Sequence, residues 1–359
     1  MTDRLAPPTA KELFLSLPPE RLERSTAKGV TIFLGATALW ASFMAIAVFA
    51  DDLALKVAAS LTAGLWLAIL FVVGHDACHG SLTPRPLLNR LLGRLAFVHS
   101  LHPYTSWKHS HNSLHHGWTN VRGKDIVFVP FSKKEYDRLP AWRRWVERRF
   151  RSPLGLPFFY FFTIWLPYEV FPNSERAPRG ADQVRFQVDR LLVFGYLGLL
   201  VTGLWTAAGA TGQSAVAMLA FGLVVPQIVF QIAMSFVSYV HHTHLRAPWY
   251  GSAEKYVYFN SQVRSTVHSE FPAPIEFVLH RILDHTAHHS DPRVPLYNLH
   301  MTQAALERLY PLEVIHEPWS LGSFLRTMRT CRLYDYENLR WLDWDGKPLT
   351  PPMLTHASA

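Results

Sequence analysis

The chain has 359 residues, of which 49% are hydrophobic, yet its mean hydropathy is near neutral at +0.06. The apolar residues are therefore concentrated in blocks, a pattern typical of membrane-spanning segments. The net charge of +8 suits anionic headgroups or an acidic protein partner, whereas nucleic acid is not expected as a partner because no nucleic-acid-binding motif accompanies the basic residues.

The first two apolar blocks predict a pair of membrane-spanning helices. Residues 1–28 are polar and lack the apolar core of a signal peptide, so the first block is interpreted as a retained anchor. Residues 29–50 are uncharged and long enough to cross about 30 Å of hydrocarbon. Residues 53–74 follow after the polar pair Asp51 and Asp52. We expect these two helices to form a tight hairpin.

A long polar segment separates this hairpin from the remaining apolar blocks. Within it, residues 142–151 (WRRWVERRFR) combine arginine with tryptophan, which fits either a helix at the lipid interface or an ordinary solvated helix. Residues 154–171 are apolar but contain two prolines and a glutamate. We interpret them as an interfacial or re-entrant element, because a third span here would move every later segment to the opposite side of the membrane.

The last two apolar blocks, residues 191–210 and 215–240, predict a second hairpin. Neither hairpin tip contains Lys or Arg, whereas the N-terminus, the central segment and the C-terminal tail are rich in them. The positive-inside rule places these three basic regions in the cytoplasm. The predicted fold is all-α and integral to the membrane: four transmembrane helices in two hairpins, with a cytoplasmic helical cap. We expect a membrane domain over residues 29–306 and a cytoplasmic tail over residues 307–359.

Eight of the 19 histidines fall in three short clusters, HDACH, HNSLHH and HTAHH. They are His75, His79, His111, His115, His116, His285, His288 and His289. Histidines four residues apart share a helix face, so each cluster could direct two imidazoles to one ion. Eight imidazoles exceed the ligand number of a single ion, and a structural zinc site would favour cysteine. Imidazole suits zinc, copper, iron and nickel alike. Redox chemistry at a membrane surface favours two irons.

The clusters resemble the three histidine boxes of the membrane fatty acid desaturase and hydroxylase superfamily. The matching segments are GHDACHG, WKHSHNSLHH followed by TN, and LDHTAHH, within residues 29–306. The segment HHTHLRAPWY, residues 241–250, makes the chain most similar to bacterial acyl-lipid Δ12 (ω-6) desaturases. The spacing within box two, with three residues before the histidine pair, is also found in alkane hydroxylases.

The resemblance implies a di-iron centre that uses O2 and two electrons to remove two hydrogens from an acyl chain. It assigns metal ligation to the eight box histidines and to His242, with His241 and His244 as less favoured alternatives, and it implies no catalytic residue beyond the metal centre. Asp76 and Asp284 resemble acids that accept the second ring N–H of a ligating histidine.

Two residues near the boxes have a second interpretation. His109 is out of phase with the face of box two, so we do not expect it to bind metal. Cys78, inside the first cluster, is interpreted as a small buried residue and not as a thiolate ligand.

We therefore expect an O2-dependent acyl-lipid desaturase in a bacterial inner membrane, with both termini cytoplasmic. The alternatives are a di-iron hydroxylase of an alkane, fatty acid or carotenoid, and a membrane haem protein with two histidine ligands, whose histidines would pair across spans at mid-membrane depth. No flavin, dinucleotide or iron–sulfur motif occurs in the sequence. Electrons must then come from an external donor, and the basic face suits an acidic, ferredoxin-like protein.

Overall fold

The computed structural model describes residues 6–353, so residues 1–5 and 354–359, at the ends of the predicted N-terminal segment and tail, lie outside it. The described chain is mostly helical, as predicted, with four short strands that the sequence did not indicate. The helices are α1 (Ala10–Ser16), α2 (Thr26–Phe49), α3 (Leu53–His79), α4 (Pro86–His99), α5 (Tyr104–Lys108), α6 (Lys133–Arg138), α7 (Ala141–Phe150), α8 (Ala181–Thr211), α9 (Ala215–Leu219), α10 (Val225–His242), α11 (Ala273–Val278), α12 (His285–Ser290), α13 (Leu299–Leu309) and α14 (Leu321–Thr330). The strands are β1 (Val267–Glu270), β2 (Ile315–Pro318), β3 (Leu333–Asp335) and β4 (Arg340–Leu342).

The four predicted spans are confirmed as helices long and apolar enough to cross a membrane. They are α2, α3, α8 and the continuous helical stretch Ala215–His242, which includes α9, a π-helical turn and α10. Two of them extend five residues or more beyond the apolar blocks. Helix α3 runs on to His79 and α8 begins at Ala181, so both helices continue into polar sequence. Gly80 ends α3 in a left-handed conformation with φ +73°, which glycine adopts without strain.

The apolar residues 154–171 do not form a fifth long helix in the described chain. They contain a 3-10 turn, Leu156–Phe158, and a π-helical segment, Phe161–Val170, with Pro167 inside it. A proline within a helix removes one backbone donor and crowds the preceding turn, which disfavours regular α-helical hydrogen bonding here.

The chain divides into two compact units, each built from separated stretches of sequence. The first unit contains residues 24–110 and 160–235, and the second contains residues 6–23, 111–159 and 236–353. The first unit thus holds α2 to α5, α8, α9 and most of α10. The second unit holds the remaining helices, the end of α10 and all four strands.

Close helix packing organises the first unit. A Cβ on Gly64 of α3 would lie 2.5 Å from Val229 Cβ of α10, so only glycine allows these helices to approach as they do. Ser60 Oγ, one turn earlier, donates to the carbonyl of Phe221 (2.8 Å). At the end of α2, Val48 packs with Leu204 and other apolar residues of α8 and α9.

Two small sheets organise the second unit. Strands β1 and β2 pair in parallel, and β3 and β4 pair antiparallel. Trp249, Tyr334 and Trp341 are fully buried around the second sheet, and the indole of Trp341 donates to the backbone carbonyl of His244 (3.0 Å). This bond fixes the chain two residues after α10 ends at His242.

Candidate metal centre

Four imidazoles of the second unit converge on one point. His115, His242, His285 and His289 each place a ring nitrogen within 4.8 Å of the nitrogens of the other three. The Nε2 atom of His242 lies 3.1 Å from His115 Nε2 and 2.9 Å from His285 Nε2. All four side chains are buried, with His289 fully inaccessible. We refer to these four residues as donor group one.

The chemistry of donor group one fits a metal ion. Ligands about 2.1 Å from one ion are separated from each other by about 3 Å, which matches these nitrogen separations. Nε2 of His289 is buried and has no hydrogen-bond partner among the described residues. Burial, reinforced by the neighbouring imidazoles, lowers the pKa of His285 and His289 well below the usual histidine range. Both rings are therefore neutral at pH 7 and have a lone pair for a metal.

Three further imidazoles of the second unit form a second set. His116 Nε2 lies 3.1 Å from His111 Nε2 and 3.0 Å from His288 Nε2. We refer to His111, His116 and His288 as donor group two. In each of the adjacent pairs His115–His116 and His288–His289, one histidine belongs to donor group one and the other to donor group two.

A π-helical turn determines this division. Residues His109–His115 form the turn, and the N–H of His116 donates to the carbonyl of His111 (2.9 Å), five residues earlier. Side chains five apart therefore share a face, and His111 pairs with His116 rather than with His115. His111 and His115 still lie near each other, with ring centroids 5.3 Å apart, but their nitrogens belong to different donor groups. The prediction that this pair directs both imidazoles to one ion assumed an α-helix and is wrong. The same expectation for His285 and His289 is confirmed, because α12 is an ordinary α-helix.

The two histidines of box one lie in the first unit, in the last turns of α3. The ring centroids of His75 and His79 are 4.8 Å apart, as expected for residues four apart on a helix. The ring of Trp107 lies against His75, with centroids separated by 5.3 Å.

Asp125 orients His115, a contact that the sequence did not predict. Its Oδ1 atom lies 2.8 Å from His115 Nδ1, and a buried carboxylate accepts a proton donor there. Nδ1 therefore carries the hydrogen, and Nε2 presents its lone pair to donor group one. Three backbone N–H groups hold the carboxylate in place, those of Asn120 (2.8 Å), Ile126 (2.6 Å) and Val127 (3.2 Å).

Gln262 orients His289 in the same way. Its side-chain Nε2 donates to the backbone carbonyl of His116 (2.7 Å), which fixes the direction of the amide. Oε1 then faces His289 Nδ1 at 2.9 Å and accepts its hydrogen. The hydroxyl of Thr119 also donates to Oε1 (3.0 Å). Gln262 thus links the backbone of one donor group to a ring of the other.

The loop after box two is held by Asn120. This residue has a left-handed backbone (φ +56°), which asparagine tolerates better than most residues. Its side-chain amide donates to the carbonyl of Pro248 (3.1 Å), with the carbonyls of His242 and Ser265 at 3.5 Å and 3.4 Å. The TN dipeptide after box two therefore connects that box to the end of α10.

Comparison with known proteins now identifies the family. The sequence model of the fatty acid desaturase family matches residues 52–319, most of the chain. The chain belongs to the fatty acid desaturase family. The resemblance predicted from the three histidine boxes is thereby confirmed.

Relatives of known activity narrow the resemblance to acyl-lipid desaturases. The sn-1 oleoyl-lipid 12-desaturase of a Picosynechococcus species is 28% identical over 275 residues, which cover 77% of this chain and 76% of the relative. The chloroplastic omega-6 fatty acid desaturase of Spinacia oleracea is 29% identical over 329 residues, 91% of this chain and 70% of the relative. The sn-1 acyl-lipid omega-3 desaturase (ferredoxin) of a Synechocystis species is 28% identical over 308 residues, 84% of this chain and 81% of the relative. The predicted similarity to Δ12 desaturases is confirmed.

The two acids predicted to orient the desaturase boxes have other observed partners. Asp76 accepts a hydrogen bond from Ser81 Oγ (2.6 Å). Asp284 precedes α12 and is fully buried, with His268 Nε2 3.0 Å from its Oδ1. Their role toward box histidines stays a prediction, whereas Asp125 and Gln262 contact box histidines directly.

His268 balances the buried charge of Asp284. Its other ring nitrogen, Nδ1, lies 2.5 Å from Glu307 Oε1. Burial opposes protonation of His268, but the two carboxylates outweigh it and raise its pKa to about 9. The imidazolium thus neutralises the acid at the start of the helix that carries box three.

The remaining residues near the boxes lie outside the two donor groups. His241 stacks on His285 with ring centroids 3.7 Å apart, and His244 Nε2 lies 3.3 Å from Glu317 Oε2. Of the three histidines considered at the end of α10, the structure thus brings His242 to donor group one. His109 is half-buried. Cys78 is buried on α3, as its interpretation as a packing residue requires.

Proposed function

We propose that this chain is a membrane acyl-lipid desaturase that introduces a double bond into an acyl chain, using a di-iron centre, O2 and two electrons from an external donor. The observation that carries the proposal is donor group one: four buried, convergent imidazoles in a chain of the fatty acid desaturase family. Iron is proposed because the family's reaction removes two hydrogens from an unactivated carbon chain, which requires an oxidant, and imidazole ligands suit iron.

We propose nine histidine ligands for the two ions. Donor groups one and two supply seven of them, and the first-box motif of the family supplies His75 and His79. When bound, the two irons would supply the oxidising power. In the overall reaction the acyl chain loses two hydrogens, and O2 is reduced to two waters by these two hydrogens together with two electrons and two protons.

The protein's own residues hold the ligand rings and exclude water. Asp125 and Gln262 keep His115 and His289 in the tautomer whose Nε2 is free to bind. The burial of donor group one keeps bulk water away from a reactive centre. The neutral state of His285 and His289 keeps the ligand set available across the physiological pH range.

Two competing functions lead to different products or spectra. A hydroxylase with the same ligands would leave oxygen in the lipid. A bis-histidine haem protein is disfavoured by the position of the histidines, because His75 and His79 lie in the last turns of α3 and His242 is the last residue of α10. A strong Soret absorption band in the purified protein would refute the di-iron proposal.

We further propose that the protein lies in a bacterial inner membrane with both termini in the cytoplasm. The connections 50–52 and 212–214 contain no Lys or Arg, which supports their location on the opposite side. The proposed donor is an acidic, ferredoxin-like protein, in keeping with the net charge of +8. Donor-dependent turnover should fall as ionic strength rises, and an indifferent rate would argue against electrostatic docking.

The deciding experiment is lipid analysis of a host that expresses the chain. We expect acyl chains with one additional double bond, detected by mass spectrometry of their methyl esters, and no hydroxylated product. His289→Ala should abolish the new product, whereas the control His109→Ala should retain most of it. Absence of new double bonds with correctly inserted, metal-loaded protein would refute the proposal.

A further inference from the structure

Helix α7 directs its two tryptophans away from the protein. Trp142 is 68% exposed and Trp145 is 59% exposed, although both are large apolar side chains. The opposite face of the helix is buried through Glu147 and Phe150. In the following segment Leu154 is also strongly exposed. A soluble surface rarely displays such a set of apolar side chains, so this face indicates an interaction site.

Arginines of α7 lie beside the tryptophans and between them. At 100° per residue, Trp142 and Trp145 lie 60° apart, Arg144 and Arg148 lie on the next part of the circumference, and the buried face is opposite. Arg149 lies between the two tryptophans on the same projection, with its guanidinium 5.1 Å from the ring centroid of Trp145. An apolar stripe beside a cationic stripe is the pattern of a helix that lies along a lipid headgroup layer.

The charge of α7 is not neutralised by the protein. Its only acid, Glu147, is paired inward with Arg151 (2.8 Å). Within the described chain, the arginines at positions 143, 144, 148 and 149 form no ion pair with an acid. Arg143 projects onto the buried face between Phe150 and Glu147, and Arg148 donates to the Tyr136 hydroxyl (2.6 Å). Arg144 and Arg149, beside two exposed indoles, complement an anionic phospholipid surface, where tryptophan is favoured at the boundary of headgroups and acyl chains.

We propose that α7 is an interfacial anchor that binds the anionic surface of the bilayer. The two tryptophans enter the boundary between headgroups and acyl chains, and Arg144 and Arg149 bind lipid phosphates. A bilayer is the occupant that the structure favours, because the chain has four helices able to cross a membrane and therefore always meets lipid. Other occupants of the same face would be an acidic electron donor or a second copy of the chain.

The first test measures the depth of the tryptophan stripe in the full-length protein. Trp145→Cys is labelled with a nitroxide in nanodiscs of phosphatidylcholine and phosphatidylglycerol, and Trp142→Cys is the second variant in case one is poorly folded. Glu337→Cys, at an exposed position in the turn between β3 and β4, is the control. The native cysteines Cys78 and Cys331 are buried, so labelling of the unmodified chain gives the background.

The expected result is that oxygen reaches the label at position 145 more readily than a water-soluble nickel chelate does, with the reverse at position 337. Equal nickel accessibility at both positions would overturn the proposal. Protection of position 145 from nickel only after an acidic ferredoxin is added would overturn it in favour of a donor site. Dipolar broadening between labels would overturn it in favour of self-association.

The second test measures the contribution of charge. Association of spin-labelled phosphatidylglycerol with Arg149→Gln should be about fivefold weaker than with the unmodified chain, the factor expected for one basic residue at an anionic surface. Lys347→Gln, a control at an exposed position in the loop after β4, should leave it unchanged. Equal association for both variants would overturn the phosphate contact.

Discussion

Asp125 provides the sharpest test of how the metal centre is held. Asp125 is only 5% exposed, and its carboxylate joins His115 to three backbone N–H groups. Asp125→Asn keeps the shape of the side chain but replaces one acceptor oxygen by an NH2 group. The remaining oxygen is expected to face His115, because the alternative orientation would leave more N–H groups without an acceptor.

The expected loss follows from these contacts. The N–H of Asn120 then loses its acceptor, which costs about 1–3 kcal/mol of folding stability. The bond to His115 survives with a neutral acceptor, which is roughly half as strong as a charged one. We expect metal affinity to fall by about tenfold for Asp125→Asn and by up to about a hundredfold for Asp125→Ala, or about 1.4 to 2.7 kcal/mol.

The assay is iron binding by competition with a coloured chelator, with thermal unfolding measured in parallel. Asp335→Asn is the matched control, because Asp335 also accepts backbone N–H groups, those of Glu337 and Asn338, at the end of β3. If folded Asp125→Asn and Asp125→Ala both bind iron as tightly as the unmodified chain, the orienting role of Asp125 is refuted.

Three further predictions concern stability and metal content. The pKa of His268 is raised to about 9, so its ring stabilises the fold only while it is protonated. His268→Gln should therefore lower the unfolding free energy by about 2 to 3 kcal/mol below pH 6.5, and this difference should vanish as pH rises through 9. A difference that does not depend on pH in denaturation curves would contradict this. Gly64→Ala should cost about 1 to 3 kcal/mol, since its Cβ would lie 2.5 Å from Val229 Cβ; an unchanged melting temperature in detergent would show that α3 and α10 can separate freely. His242→Ala should lower the metal content by about one ion per chain, whereas His244→Ala should leave it unchanged in elemental analysis.

The membrane helices and box histidines were predictable because their signals are local. The length of the apolar blocks 29–50 and 53–74 predicts membrane helices, and the spacing of four between His285 and His289 predicts a shared helix face. The π-helical turn before His116 was not predictable, because no residue type marks it. This turn decides which histidine nitrogens converge.

The orienting residues were missed for a different reason. Asp76 and Asp284 were chosen because they adjoin box histidines in sequence, whereas the observed partners are defined by the folded chain. Asp125 lies ten residues after His115 and is reached through the turn at Asn120. Gln262 lies 27 residues before His289 and belongs to a π-helical segment, Asn260–Arg264. Asp125, the acid in TNVRGKD soon after box two, was the one sequence signal available for an orienting residue.

The division of neighbouring histidines between the donor groups couples the geometry of one group to that of the other. His115 and His116, and likewise His288 and His289, have α-carbons about 3.8 Å apart yet serve different groups, and the rings of His116 and His289 stack across the divide at 4.1 Å. A displacement that opens one group must therefore distort the other. Metal uptake should consequently be cooperative, with the first ion ordering the backbone for the second, and chains that hold a single ion should be scarce at intermediate loading.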